Sequence, residues 1–170
     1  MATPTKHYSS IQENRIAEYL GWSVVSGSGA RDCHPGDIQS DQWLGECKTH
    51  TEPYHKITFM YDFWKKICDE ATSKFKVPVL FVDDGSQKVE KTWVLYPYTR
   101  FDYNGLKVIS DHGIKHRKNI SFDHFDIWKY ITSEQRKNGF NPVVLHFDFN
   151  GQSVGVTSLV SFFVMFGEDR

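Results

Sequence analysis

The stretch Pro35-Gly36-Asp37-Ile38-Gln39-Ser40-Asp41-Gln42-Trp43-Leu44-Gly45-Glu46-Cys47-Lys48 decides how this chain is read. Its middle, Gln39 to Gln42, is polar and turn-like, and apolar residues flank it on both sides. That pattern predicts a hairpin, with one strand opening at Gly36-Asp37-Ile38 and the other running from Trp43 to Lys48. Side chains alternate along a strand, so Glu46 and Lys48 share a face while Cys47 points the opposite way. The hairpin brings Asp37 beside them. Two carboxylates converging on one spot repel unless a cation lies between them, and an all-oxygen site favours a hard ion such as Mg²⁺, with Mn²⁺ as a substitute. The backbone carbonyl of Cys47 is a further candidate ligand. Lys48 would orient or deprotonate an attacking water, or stabilise charge on a phosphoryl group, while the ion acts as Lewis acid. The bland alternative for Glu-x-Lys is a strand with alternating charges on its solvent face.

Working outward, Ile11, Ile16, Ala17 and Leu20 have helical spacing, with Ser9 or Ser10 as cap and Gly21 as stop. Trp22 to Val25 reads as a short strand and Ser26 to Arg31 as a glycine-rich loop. After the hairpin, Phe59, Phe63, Ile67 and Ala71 predict a helix over 58–75. Pro78 to Val82 and Trp93 to Tyr96 read as two strands separated by a turn-rich segment. The expected fold is α/β, a central mixed sheet flanked by helices.

The second half echoes the first. Ile57-Thr58-Phe59 recurs as Ile120-Ser121-Phe122, Trp64 as Trp128, Ile67 as Ile131, Glu70 as Glu134 and Pro78-Val79 as Pro142-Val143. The division expected is a core over 1–104 and an extension over 105–170, a degenerate repeat of 57–101 packed on the same domain. The extension has no counterpart of Asp37 or of Glu46-Cys47-Lys48, which places the chemistry in the first half.

At 170 residues with a formal charge of −1, the chain suits one domain and carries no bulk basic field. The run from Lys107 to Lys118, with Lys115, Arg117 and two histidines, is a local basic cluster suited to nucleic acid, with a solvated loop as the bland alternative. Three cysteines at no disulfide-like spacing, and no signal-like or membrane-spanning apolar run, predict a soluble cytoplasmic protein without a membrane partner.

Pro-Gly-Asp-Ile at 35–38 with Glu-Cys-Lys at 46–48 resembles the PD-(D/E)xK nuclease superfamily. Glu13 to Trp22 (ENRIAEYLGW) and Ser26 to Arg31 (SGSGAR) resemble archaeal-type Holliday junction resolvases. The resemblance covers about Glu13 to Phe101. It implies a restriction-endonuclease-like core, a homodimer, Mg²⁺ dependence, and paired nicks in a four-way DNA junction during recombination or repair, leaving 5′-phosphate ends. By the same resemblance, a carboxylate from the first helix joins the metal site. Glu13 matches it and Glu18 competes. The loop serine near the scissile phosphate corresponds to Ser26 or Ser28. Gly36, between Pro35 and Asp37, departs from the strict motif.

Arg31, Lys56 and Lys65 are candidate phosphate contacts, since such contacts position a duplex without reading its sequence. Rival readings are a general or sequence-specific nuclease of the same superfamily, and a DNA-binding module that does no chemistry. Cys33, His34, Cys47 and His50 lack the spacing of a compact zinc module, and Cys47 faces away from the carboxylates.

Overall fold

A computed structural model describes residues 4–26, 35–139 and 141–167. The first helix, α1 (Pro4–Leu20), begins earlier than its apolar spacing suggests, with Ser9 and Ser10 inside it. Proline fits the first helical turn, where its missing N–H costs nothing. Ile16, Ala17 and Leu20 are buried, and Gly21 closes the helix at φ +72°.

The hairpin forms as its sequence predicts. Strands β1 (Ser23–Val24), β2 (Ile38–Gln39) and β3 (Trp43–Lys48) run antiparallel in turn, with Ile38 opposite Gly45 and Gln39 opposite Leu44. Gly45 is required: a Cβ there would lie 2.8 Å from the Phe81 ring and 3.0 Å from Ile38. Gly36 adopts φ +70°, and a Cβ on it would meet the Leu44 side chain at 2.8 Å. The extra residue in the Pro-Gly-Asp motif therefore makes the tight entry into β2.

The expected helix over 58–75 is two elements. Lys56–Met60 is strand β4, and only Tyr61–Ser73 is helix α2. Phe59 keeps helical spacing with Phe63, yet it is buried on a strand. Its partner, β8 (Asn119–Asp123), lies about sixty residues on, and pairs Ile57 with Phe122, Thr58 with Ser121 and Phe59 with Ile120. A pairing so distant along the chain leaves no local signature.

Beyond α2 come β5 (Val77–Asp83), parallel to β3, and β6 (Thr92–Pro97), antiparallel to β5. The basic run, for which a solvated loop is one reading of the sequence, is strand β7 (Lys107–His116), bulged between Ser110 and Lys115. After β8, helix α3 (His124–Lys137) leads to β9 (Val143–Phe149), β10 (Gln152–Ser158) and α4 (Leu159–Phe166). The main sheet has the order β1-β2-β3-β5-β6-β10-β9-β7. Its eight strands mix parallel and antiparallel pairs. On one face Leu80, Val82 and Leu95 meet Trp64 and Ile67 of α2 and Ile131 of α3. On the other, Cys47, Val79 and Phe81 meet Ile16 of α1 and Phe162 of α4.

The internal echo is visible in the topology. β4-α2-β5-β6 and β8-α3-β9-β10 have the same element order, and β7 is parallel to β9 as β3 is to β5. The two units meet along β6 and β10 in the main sheet and along β4 and β8 in the ribbon. Residue-level equivalence is looser. Ile67 and Ile131 are both buried in the same cluster, but Val79 and Val143 belong to opposite sides of the sheet. Trp64 is buried, whereas Trp128 is 45% exposed. Among the described residues, no helix is long and apolar enough to cross a membrane.

Candidate active site

Asp37 immediately precedes β2 and lies beside β3, where the charge of Glu46 acts on it, and Glu46 in turn faces Lys66 of α2. The backbone N–H of Asp37 donates to the Gly45 carbonyl at 2.8 Å, and the Asp37 Oδ2 accepts the Cys47 N–H at 2.7 Å. Both bonds fix the carboxylate relative to the motif strand. Glu46 is only 2% exposed. The Lys48 ammonium lies 2.6 Å from its Oε1 and 4.7 Å from the centre of the Phe63 ring. Alternation along β3 thus does what the sequence predicts for Glu46 and Lys48.

A second ammonium, absent from the sequence-based set, reaches the same carboxylate. Lys66 of α2 places its Nζ 3.3 Å from Glu46 Oε1 and 3.7 Å from Glu70 Oε1. Glu70 in turn accepts the Gly36 N–H at 2.9 Å. Helix α2 buries Trp64, Ile67 and Ala71, so Lys66 and Glu70 flank that stripe beside β3. Lys65, one residue earlier and about 100° away around the helix, pairs instead with Asp69 at 2.7 Å on the exposed side. The signal that finds Lys66 is its i,i+4 relation to Glu70 beside Ile67.

Helix α1 supplies the third side. Gln12 is buried, and its Nε2 donates to the Lys48 carbonyl at 2.8 Å, which holds the end of β3. Its Oε1 finds no hydrogen-bond partner among the described residues. Glu13, half-buried, is near enough to raise the pKa of both Asp37 and Cys47. Glu18 lies on a different, exposed face.

Electrostatics follow from this crowding. Burial, then the Glu46 charge, push Asp37 up to about 7, with Glu13 adding and the Cys47 N–H and Lys48 opposing. Burial also raises the Cys47 thiol, with Asp37, Glu13 and Glu46 acting in the same direction. Cys47 is therefore a core thiol rather than a thiolate. For Lys66, burial lowers the pKa, but Glu46 and Glu70 outweigh it and the net shift is upward.

Among the other sequence candidates, Ser26 is exposed at the end of β1, and Lys56 is exposed on β4. Ser28 and Arg31, like Cys33 and His34, lie outside the described residues. The His50 and His55 rings lie tilted against Tyr54, with ring centres 5.4 and 4.5 Å away, in the loop after β3.

Among the described residues, no three His, Cys, Asp or Glu side chains form a ready metal cluster. The set on offer is Asp37, Glu46 and the Cys47 carbonyl, oxygen throughout, with Glu13 adding negative charge. That set fits a hard divalent ion that keeps several of its waters, as Mg²⁺ does. No family model, no curated protein and no solved structure matches this chain.

Proposed function

We propose that this chain is a metal-dependent DNA nuclease of the PD-(D/E)xK type, and that branched DNA, the four-way junction first, is its substrate. One observation carries the reading: Asp37 accepts the Cys47 N–H at 2.7 Å, close enough to Glu46 for its charge to act on Asp37, and the Lys48 ammonium lies 2.6 Å from Glu46. The order of α1, three antiparallel strands, the ribbon strand β4, α2 and a strand parallel to the motif strand is compatible with a restriction-endonuclease-like core.

Mg²⁺ held by Asp37, Glu46 and the Cys47 carbonyl would supply Lewis acidity and lower the pKa of water at neutral pH. The protein's own groups do the rest. Asp37 is held by the Cys47 N–H, and Glu46 is fixed between two ammonium groups. Lys48, 35% exposed, has one side open to solvent, where it orients the attacking water or meets charge on the phosphoryl oxygens. The water oxygen forms a bond to phosphorus as the bond to the 3′ oxygen breaks. The attacking water gives up a proton to solvent and the leaving oxygen takes one from solvent, which gives a 3′-hydroxyl and a 5′-phosphate. Homodimerisation stands as part of the resemblance, and α4 offers exposed Val160 and Val164 for it.

The test is cutting of a synthetic four-way junction, a linear duplex and a single strand, with Mg²⁺ and with chelator. Nicking of the junction alone supports a resolvase. Equal cutting of linear duplex moves the reading to a general endonuclease, and binding without cutting leaves a DNA-binding module. Products ending in 3′-phosphate contradict the displacement described.

A further inference from the structure

Loop 49–55 and the start of α3 enclose a cavity of ≈ 590 Å³ that the hydrolytic site does not use. Its walls are aromatic: Tyr54, Phe125 and Trp128 are 48%, 58% and 45% exposed. Three exposed rings thus gather around one concavity, a contiguous apolar patch of the kind that marks an interaction site. The cavity is also built. The Tyr54 N–H donates to the Asp84 carbonyl at 2.6 Å, and the His124 N–H to the His55 carbonyl at 2.8 Å, which ties the loop to β5 and to α3. Asp123 caps α3 by accepting the Phe125 and Asp126 N–H groups.

The polar groups in it have defined roles. The Trp93 indole N–H can only donate, and it donates to His124 Nδ1 at 3.0 Å. The imidazole is therefore neutral, with its proton on Nε2, and burial lowers its pKa in agreement. Nε2–H is left as a donor for whatever enters. Asp84, also lining the cavity, stays a carboxylate: burial raises its pKa, but the Ser86 hydrogen bonds and Lys91 together outweigh that. Lys91 is the lining cation, with its Nζ 3.4 Å from Asp84 Oδ2.

We infer that this cavity holds one unpaired nucleobase of the nucleic acid, stacked on Trp128 and its aromatic neighbours and hydrogen-bonded at its edge by His124 Nε2–H and Asp84. The inference rests on the nuclease reading for its substrate. Flat aromatic walls match the faces of a base. A donor beside an acceptor matches a base edge, and with Lys91 paired to Asp84 the remaining lining charge is the Glu90 carboxylate, which disfavours phosphate. Position agrees as well. The cavity opens beyond the C-terminal ends of the parallel strands β3 and β5, the end of β3 at which Lys48 stands. A strand leaving a branch point at the scissile phosphate would pass it.

The experiment measures affinity in chelator, so that nothing is cut, using a labelled branched duplex with one single-stranded arm. A matched probe is abasic along that arm. The intact arm is expected to bind the full chain about tenfold more tightly than the abasic arm, within the range for stacking one base. In Trp128→Ala and in Phe125→Ala that ratio should fall towards one, with folding of each variant verified by thermal unfolding. Equal affinity for the two probes in the wild-type chain, or an unchanged ratio in both variants, overturns the inference. Cutting with Mg²⁺ separates the two ideas. A base-dependent ratio without any cutting keeps the cavity and removes the nuclease, and cutting with no base dependence does the reverse.

Discussion

The two units β4-α2-β5-β6 and β8-α3-β9-β10 share an order of elements and differ in what their helices do. Helix α2 buries Trp64, Ile67 and Ala71 and turns Lys66 and Glu70 towards the hairpin. Helix α3 buries Ile131 alone, leaves Trp128 and Tyr130 exposed, and pairs Glu134 with Lys137 on its own surface. The parallel strand beside each unit differs in the same sense. β3 presents Glu46 to the helix-covered face, whereas β7 places Ile109 against the corresponding cluster. One unit is committed to holding a buried charged site, and the other keeps the sheet continuous while its helix surface is free for contact. A repeated scaffold separates these tasks because each depends on a few side chains, not on the backbone both units share.

The largest expected effect breaks this comparison outright if it fails. Asp37→Ala and Glu46→Ala should each lower Mg²⁺-dependent cutting by about a thousandfold or more, since each removes half of the carboxylate pair. DNA binding in the same variants should be kept or tightened, because negative charge near phosphate is lost. Asp111→Ala, on β7 of the second unit, should stay within about twofold of wild type in single-turnover rate.

Stability gives the next contrast. Trp64→Ala empties a fully buried position and loses the indole bond to Gln152 Oε1, so it should cost about 3–5 kcal/mol in denaturant unfolding. Trp128→Ala, half out in solvent, should cost less than about 1 kcal/mol. Similar losses for the two would mean that the units are packed alike.

Within the site, Lys48→Ala should slow the chemical step about a hundredfold. Lys66→Ala should slow it roughly tenfold by loosening Glu46, and Lys65→Ala should leave it near wild type, because Lys65 pairs with Asp69 away from the site. Single-turnover rates on one substrate rank the three.

The smallest effect is on pH. Asp37 titrates near 7 in the folded chain against 3.8 for an ordinary aspartate, so the folded state holds its proton more tightly. The stability this confers is complete below the ordinary value and is lost as pH rises towards 7, because the ionised form is the crowded one. In chelator, Asp37→Asn should therefore exceed wild-type stability at pH 8 by on the order of 1 kcal/mol, with the gap closing below about pH 4. Thermal unfolding across that range measures it, and a gap that widens on acidification contradicts the electrostatic account.

Much of this was legible in the residues because it was local. The turn from Gln39 to Gln42 and the alternation of Glu46, Cys47 and Lys48 fix the hairpin within fourteen positions. Strand β4 was not legible, because Phe59 keeps helical spacing with Phe63 and the strand is stabilised only by β8. Strand β7 was open to a loop reading because its charges hide a parallel pairing with β9. Lys66 is not legible as a partner of Glu46 because one residue on a helix changes the direction of a side chain by about 100°, and the buried stripe that sets the phase is known only once α2 is seen against β3. The cavity at α3 joins residues 53–55, 84, 90–91, 124–125 and 128, which no window of sequence brings together.

The most direct measurement is anomalous diffraction from a crystal of the full chain soaked in Mn²⁺. The account predicts one strong peak in contact with the Asp37 and Glu46 carboxylates and the Cys47 carbonyl oxygen, with the Lys48 ammonium beside it. A crystal in which Lys48 and Lys66 fill that space, with the manganese elsewhere or no peak at all, contradicts it.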